Sequence, residues 1–294
     1  MAAMATTATT ANTVSDLVQD IGGLITLPEI YLRINRLIDD PRSSSSDIAR
    51  AISQDPAFTI RLLRVANSAL YSFSSSVDTV ARAVSIIGTA QIRSLALSMS
   101  VAKSFAGLPN ALVSMENFWR HCLYCALIAR RLAKALAGCD RDAVFAGALL
   151  HDIGELVIFN RLPAQAKEAL LIVLDSQDEI PVHRAEFQVM GFDHSDVGGE
   201  LARQWKLPAL LEECIAHHHD IAQATRYPQE VAVVHIANIL ALMAELDTLE
   251  QDEVPAIDPL AWERSGLTWD SVEPAVREAQ AEIAEIESLF SPAQ

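Results

Sequence analysis

The sequence of 294 residues is 51% hydrophobic and 20% charged, a composition typical of a globular protein with one large domain or two modest ones. Glycine (11) and proline (12) are both infrequent, which disfavours turn-rich all-β folds, collagen and low-complexity chains. The 22 basic residues are outnumbered by 38 acidic ones, giving a formal net charge of −16. Nucleic acid and anionic membranes are therefore disfavoured as main ligands, because binding them requires concentrated positive charge.

Cysteine usage and the N-terminal composition predict a cytoplasmic protein. The four cysteines form no paired framework, and a core of this size needs no disulfides. The opening MAAMATTATTANT has neither a basic signal region nor an Arg-rich pattern, and no apolar run approaches the roughly 18 residues needed to cross a bilayer. We expect a soluble protein with a disordered tail over residues 1–14 and no membrane partner.

Apolar residues recur with helical periodicity through almost the whole chain. Pro28 precedes the first apolar stripe, the last serines of the SSSSD run at 43–47 are natural N-caps, and Asp55-Pro56 opens the next helix. Further helices are predicted at 80–87, 92–105, 118–137, 143–150, 165–174, 186–190, 197–205, 209–218, 231–244 and 272–289. No segment alternates β-branched or aromatic residues cleanly, so the predicted fold class is all-α.

Two irregular segments interrupt the helical pattern. The GLPN segment at 107–110 is the best candidate boundary, and it predicts an N-terminal helical lobe over residues 15–110 and a second helical lobe over 111–290. The stretch 245–258 carries six acids and no base, which is typical of a solvated loop.

The histidines are the residues that point to chemistry. All eight lie between positions 121 and 235. His151 and Asp152 end an apolar helix and precede Gly154, where the chain can turn. At the last turn of a helix both side chains can converge on one ion. Imidazole and carboxylate together are typical ligands of a divalent Mn, Fe, Zn or Mg ion, whereas a structural zinc is usually bound by thiolates. The wider arrangement adds His121, His194, His217, His218, His219 and Asn238.

This arrangement resembles the HD superfamily of metal-dependent phosphohydrolases, whose pattern is a helical His, a His-Asp pair, further His and a late Asp. Other segments resemble the HDOD domain, the HD-related output domain of bacterial signalling proteins. The resemblance covers residues 15–290 and implies a multi-helix, two-lobed module with an HD-like second lobe. The matching segments are LPEI at 27–30, ISQDPAF at 52–58, LLRVANSALY at 62–71, AVSIIGTAQIRSLAL at 83–97 and EFQVMGFDHSDVGGELARQWKLP at 186–208.

The resemblance also implies a metal site, by position. Its first ligands are His121, His151 and Asp152, and a second site or phosphate-binding group comprises His194, His218 and His219. Two positions depart from the family pattern. Asn238 stands at the late Asp position and replaces an anionic ligand with a neutral amide. Glu155 stands where active HD enzymes often carry a lysine, and its charge should repel a phosphate substrate.

Other polar residues receive a structural interpretation. His183 and His235 are expected at the surface or at the edge of the core. Consecutive helical residues cannot all face inward, so at least one of residues 217–219 is expected to face solvent. The first-lobe arginines are interpreted as solvated helix surface, with a basic face for a partner or nucleotide as the alternative; they are Arg61, Arg64, Arg82 and Arg93.

Three functions follow from these residues and the resemblance. The favoured one is a bacterial signal-transduction output module that binds a signalling protein or a small phosphorylated ligand, with a degenerate or structural metal site. The second is an active metal-dependent phosphohydrolase in which Asp152, His194 and His218 carry the chemistry, His194 or His218 orienting the substrate or shuttling a proton. The third is a sensor that binds a nucleotide in the same cleft without cleaving it.

Overall fold

The computed structural model describes residues 13–22, 27–68, 71, 73, 76–105, 112–176, 180–248, 250 and 254–290. Of these described residues 76% are helical and none lies in a β-strand, which confirms the all-α prediction. Most of the predicted tail and the whole of the predicted boundary at 107–110 lie outside the described residues. The division into lobes at that boundary therefore stays a prediction.

Within the described residues the chain forms sixteen α-helices and one short 3₁₀ helix, at Ile221–Gln223. Those before the predicted boundary are α1 (Val14–Gly22), α2 (Glu29–Asp39), α3 (Ser45–Ser53), α4 (Pro56–Ala66), α5 (Val80–Ile87) and α6 (Thr89–Phe105). Those after it are α7 (Met115–Lys134), α8 (Arg141–Leu150), α9 (Ile153–Arg161), α10 (Pro163–Asp175), α11 (Val182–Met190), α12 (His194–Gln204), α13 (Ala209–His217), α14 (Pro228–Leu246), α15 (Pro259–Ser265) and α16 (Trp269–Phe290).

Local sequence fixes the helix starts where capping residues were predicted. The Ser44 side chain accepts a hydrogen bond from the backbone N–H of Asp47, and the Asp47 carboxylate accepts one from the backbone of Ser44, so a complete capping box opens α3. The Asp55 carboxylate caps α4 through the N–H of Phe58, with Pro56 at the first helical position. Both predicted helix starts are confirmed.

Three helices were not predicted, namely α1, α9 and α15. The sequence suggested a turn at Gly154, but Gly154 lies inside the first turn of α9 and is not among the glycines with positive φ. α8 and α9 are therefore separated only by His151 and Asp152. Because this break is so short, the pattern of apolar residues did not indicate a second helix. The break also fixes the position of the His-Asp pair between two buried helices.

The two halves of the chain share one continuous hydrophobic core. α6 packs against α2 and also against α8, and α16 packs against α7 and α14 and reaches α4. α1 comes first in the sequence, yet it packs against α12 and α9 in the second half. The helices that carry the histidines are thus supported by helices from both halves.

The centre of the second half is a trio of helices, α7, α8 and α14. α14 is long and apolar enough to cross a membrane by length and composition alone, so the expectation that no segment reaches that length was wrong. Its apolarity has a different physical cause, because 61% of its most apolar window is buried inside the protein. Such a helix is apolar on nearly every face because α7, α8, α13, α15 and α16 surround it.

Candidate metal centre

Asp152 lies at the centre of the histidine cluster, in the junction between α8 and α9. Its Oδ2 is 3.0 Å from Nε2 of His151 and 3.7 Å from Nε2 of His121. Its Oδ1 is 3.3 Å from Nε2 of His194 and 3.5 Å from Nε2 of His218. Four imidazole nitrogens from α7, α12 and the ends of α8 and α13 therefore face one carboxylate.

The potential ligands form two groups that share Asp152. In each group the ligand atoms lie within 4.8 Å of one another. The first group contains His121 and His151, and the second contains His194, His218 and His219. A carboxylate with one oxygen toward each group can serve both, so the geometry allows one ion or two.

Glycines allow the close approach that assembles the cluster. A Cβ placed on Gly154 would lie 1.9 Å from the carbonyl oxygen of His194 and 2.7 Å from the backbone nitrogen of Gly198. The start of α9 can therefore touch the start of α12 only because residue 154 has no side chain. This contact brings His194 to Asp152.

Contacts behind the rings orient the imidazoles. Nδ1 of His151 donates to the carbonyl of Ala148 at 2.7 Å, and Nδ1 of His218 donates to the carbonyl of Ile215 at 2.9 Å. Because these N–H groups point away from Asp152, the Nε2 atoms that face Asp152 carry lone pairs. Fixing a ring through its outer nitrogen is how proteins hold histidine ligands ready for a metal.

Glu186 holds His194 from behind. Its Oε2 accepts hydrogen bonds from Nδ1 of His194 at 2.7 Å and from the backbone N–H of His194 at 2.9 Å. Both side chains are buried, with 2% of Glu186 and 3% of the His194 side chain exposed. A buried carboxylate in this position raises the basicity of the histidine and keeps its Nε2 directed at Asp152.

The unsatisfied atoms of the cluster fit a divalent metal. Among the described residues, Nε2 of His151 and Nε2 of His218 are buried and have no hydrogen-bond partner. Buried polar atoms are nearly always paired, so two orphaned nitrogens facing one carboxylate fit the coordination of a cation. Imidazole and carboxylate donors without thiolate suit Mn, Fe, Zn or Mg.

Electrostatics keep Asp152, His218 and His219 in the protonation states that a metal needs. His194 differs, because its burial is outweighed by Glu186 and Asp152, which raise its pKa well above the usual value, so a metal must displace its proton. Burial would raise the pKa of Asp152, but the interactions with His151, His194 and His218 hold that pKa well below its usual range. Burial lowers the pKa of His218 to about 4, and burial with the charges of neighbouring histidines lowers the pKa of His219 as well. An anionic carboxylate and neutral imidazoles are the forms that coordinate metals.

His121 has a second set of partners that compete with a metal. Its Nδ1 is 3.2 Å from Oε2 of Glu245, and its Nε2 is 3.0 Å from Oδ1 of Asn238. Burial alone would lower the pKa of His121, but the hydrogen bond with Glu245 and the charge of Asp152 raise it to about 9. His121 therefore favours the protonated form. Among the described residues, the only hydrogen bond that joins Asn238 to the cluster is the one with His121.

Glu155 adds a carboxyl group beside Asp152. Burial and then the charge of Asp152 raise the pKa of Glu155 to about 8, so this group is mostly protonated at neutral pH. The charge repulsion predicted for Glu155 from the sequence is therefore weak, although the residue supplies none of the positive charge of a lysine. Carboxylate oxygens of Glu155 and Glu186 also lie within 4.8 Å of a His194 nitrogen and of each other. This side of the centre therefore presents carboxyl groups, where a lysine is common in active HD enzymes.

Of the predicted site residues, the structure brings six together around one point. They are His121, His151, Asp152, His194, His218 and His219. Helix α13 ends at His217, so His218 and His219 lie beyond it and both reach the cluster, whereas His217 belongs to none of the ligand groups.

His183 and His235, expected at the surface or at the edge of the core, are partly buried and have contacts at the site. His183 stacks on His219 with ring centroids 4.0 Å apart, and Nδ1 of His235 donates to the carbonyl of His218 at 2.7 Å.

Two residues of the site were missed from the sequence. Glu186 lies eight positions before His194, but the two residues lie on separate helices, α11 and α12. Helical periodicity therefore could not show that their side chains meet. Glu245 was assigned to a solvated acidic loop, but it lies in the last turn of α14 and contacts His121. The loop assignment was wrong for this residue, because α14 continues to Leu246.

Comparison with known proteins places this architecture in a family. The sequence profile of the HDOD domain matches residues 24–221, about two thirds of the chain. The chain belongs to the HDOD domain family. A search of curated proteins finds an uncharacterized protein of Treponema pallidum (strain Nichols), 28% identical over 234 residues, or 78% of this chain. The HDOD chain spans 44% of the length of that relative.

Solved structures share the fold. An HDOD domain protein of unknown function from Geobacter sulfurreducens is 25% identical with a TM-score of 0.71, and the alignment covers 94% of this HDOD chain and 96% of that one. A protein from Shewanella amazonensis SB2B, provisionally named a phosphohydrolase, is 23% identical with a TM-score of 0.73, covering 93% and 97%. A protein from Marinobacter aquaeolei VT8, provisionally named a signal transduction protein, is 19% identical with a TM-score of 0.71, covering 93% and 61%.

Replacing Glu186 with glutamine should weaken metal binding about 10- to 100-fold, because the amide supports His194 less well than the carboxylate does. Metal titration of the apoprotein, followed by calorimetry, measures the change. Glu213→Gln is the matched control: Glu213 is also a buried glutamate that accepts backbone N–H bonds, from Arg226 and Tyr227, but it belongs to none of the ligand groups. Equal affinity in the Glu186 variant and the wild type would show that Glu186 does not support a metal ligand at His194.

Proposed function

We propose that this HDOD chain is a cytoplasmic signal-transduction module in which a divalent ion at the Asp152 cluster stabilises the fold and sets the shape of the second half. The supporting observation is the burial of the cluster. The side chains of His151 and His218 are fully buried, and the Asp152 side chain is only 11% exposed. An ion held there is enclosed by protein and offers little surface to a substrate.

The charge around the cluster supports the same proposal. Glu186 and Glu245 lie close to the cluster's histidines, and Glu155, which is mostly protonated at neutral pH, supplies no positive charge. A phosphate substrate needs preorganised positive charge at the phosphoryl group, and carboxylates in these places oppose it. Asn238 supplies no additional negative charge to balance a second metal ion. The module would then act by binding a signalling protein or a small phosphorylated ligand, as the family resemblance suggests.

Hydrolysis assays test this proposal. With p-nitrophenyl phosphate and bis(p-nitrophenyl) phosphate, the wild-type protein should show no hydrolysis that depends on added Mn²⁺, Zn²⁺ or Mg²⁺, although it binds the ion. Turnover that requires the metal and disappears in Asp152→Asn would overturn the proposal. Loss of the chelatable ion without loss of thermal stability would also contradict a structural role.

A second candidate, metal-dependent phosphohydrolysis, is favoured by one observation: the two ligand groups share Asp152. A pair of divalent ions polarises a phosphoryl oxygen and activates a water for attack. In that case His121, His151 and Asp152 would hold one ion, and Asp152, His194, His218 and His219 the other. Glu186 would keep His194 in a fixed orientation, and the burial of the cluster would exclude bulk water.

Asn238→Asp separates the two candidates. The new carboxylate should lie beside His121, add an anionic donor to the first ligand group and raise metal affinity about tenfold. Under the structural proposal hydrolysis stays absent, whereas under the enzymatic one it increases with metal occupancy. Asn117→Asp, an exposed position near the start of α7, introduces the same charge away from the cluster and serves as control. Unchanged metal affinity in Asn238→Asp would show that residue 238 does not face the ion.

A further inference from the structure

A second cleft, separate from the metal centre, lies between the two halves of the chain. Its volume is about 300 Å³, at the lower end of the range for small-molecule sites. One wall is formed by Tyr71 and Phe73, from the segment after α4, and by the end of α5. The opposite wall is formed by the last turns of α7 and the start of α8, with α16 at the edge.

Basic side chains converge on this cleft although the chain as a whole is strongly acidic. Arg130, Arg131 and Lys134 follow one another on α7, and Arg141 begins α8. Two carboxylates, Asp142 and Glu282, also line the cleft, so the lining carries four cationic groups against two anionic ones. A local surplus of positive charge on a chain with a net charge of −16 indicates a site for a small anion.

The cations divide into two that are held and two at the surface. Nε of Arg130 donates to Oδ1 of Asp142 at 3.0 Å, and Arg131 pairs with both Glu278 and Glu282 on α16, which leaves four cations beside three carboxylates. The Arg141 side chain is 52% exposed and approaches Asp142 only at 3.7 Å, and Lys134 is exposed. Arg141 and Lys134 are therefore available to bind phosphate oxygens, while the two paired arginines form the fixed floor.

Aromatic rings line the first wall of the cleft. Tyr71 and Phe73 stack with centroids 5.7 Å apart and planes 16° apart, and the guanidinium of Arg130 lies 5.0 Å from the Tyr71 centroid. Nearby, the end of α4 is joined to the residues before α5, because the amide of Asn67 donates to the carbonyl of Val77 at 2.8 Å and accepts from the N–H of Val77 at 2.7 Å.

We infer that this cleft binds a nucleotide, with its phosphate on Lys134 and Arg141 and its base against Phe73. Cations beside an aromatic face are the combination that recognises phosphate and base together. The limited volume fits a mononucleotide, and the acidity of the rest of the surface repels a nucleic acid strand. Arg130 follows His121 by nine residues on α7, about 14 Å along the helix, so this site is distinct from the metal centre.

Calorimetric titration of AMP and GMP into the full chain tests the assignment, with EDTA present and repeated in Asp152→Asn. We expect saturable binding of one nucleotide per chain in both proteins, because the metal centre does not take part. Lys134→Gln and Arg141→Gln should each weaken binding about tenfold, and Phe73→Leu about fivefold or more through loss of stacking. Arg277→Gln, an exposed arginine on α16 paired with Glu273, is the control and should bind as the wild type does.

Three results of the same titration would contradict nucleotide binding in this cleft. Absence of saturable binding at millimolar nucleotide overturns the assignment. Binding that survives Lys134→Gln and Arg141→Gln but is lost in Asp152→Asn places the nucleotide at the metal centre instead. Inorganic phosphate binding as tightly as AMP, with no effect of Phe73→Leu, removes the role of the aromatic wall. Because Lys134, Arg141 and Phe73 are exposed, these variants should fold, and a thermal melt of each one verifies that.

Discussion

Replacing Asp152 with asparagine is expected to lower the metal content of the purified protein at least tenfold, because both ligand groups lose the carboxylate they share. The measurement is elemental analysis of protein prepared without a histidine tag, before and after incubation with Mn²⁺, Zn²⁺ or Mg²⁺. Removing the ion with a chelator should lower the melting temperature of the wild type and leave that of Asp152→Asn unchanged, because only a protein that binds the ion gains stability from it.

Asp140→Asn controls for the charge change. Asp140 lies at the other end of α8, where its side chain accepts from the N–H groups of Asp142 and Ala143, and asparagine can cap that end equally well. This variant should retain the metal. A wild-type protein that holds no ion after incubation with any of the three metals would falsify the metal centre. The histidines would then serve the fold alone, and the two orphaned nitrogens would need another partner.

Sequence periodicity was sufficient for the fold class because most helices here bury one apolar face and begin at recognisable caps. α5 matches its predicted limits, and the predicted caps of α3 and α4 are present. The same method missed α9, because only two residues separate it from α8. It also placed α14 at 231–244 and so cut short a helix that runs from Pro228 to Leu246. Periodicity describes faces of helices and carries little information about such junctions.

Some residues of the candidate site could be found from the sequence and others could not. His151, Asp152 and His194 were found because their residue types and order match a family pattern. Glu186 and Glu245 were missed because their roles depend on which helix ends meet, and that is decided by tertiary contacts. Glu245 in particular resembles its acidic neighbours in sequence, and only its place on the last turn of α14 turns it toward His121.

Gly154 is the residue whose substitution should damage the fold most directly. In Gly154→Ala the new methyl group would lie 1.9 Å from the carbonyl oxygen of His194 and 2.7 Å from the nitrogen of Gly198. Both atoms belong to the backbone of α12, so no side-chain rotation relieves the overlap and α9 must move away from α12. We expect a loss of about 3 kcal/mol in the free energy of unfolding, measured by denaturant titration, although alanine is the better helix former.

Gly147→Ala on α8 is the matched control, because it is also a buried helical glycine. Its Cβ would lie 2.9 Å from Cβ and 3.2 Å from Sγ of Cys214, a much smaller overlap than the 1.9 Å contact with backbone at Gly154, so a shift of a few tenths of an ångström relieves it. The control should therefore lose about 1 kcal/mol or less, since the helix propensity of alanine offsets part of the strain. The Gly154 variant, titrated with metal under conditions where it remains folded, should also bind more weakly, because His194 lies on α12 and is displaced relative to Asp152. Equal stability and metal affinity in Gly154→Ala and the wild type would mean that the contact between α9 and α12 does not hold the cluster together.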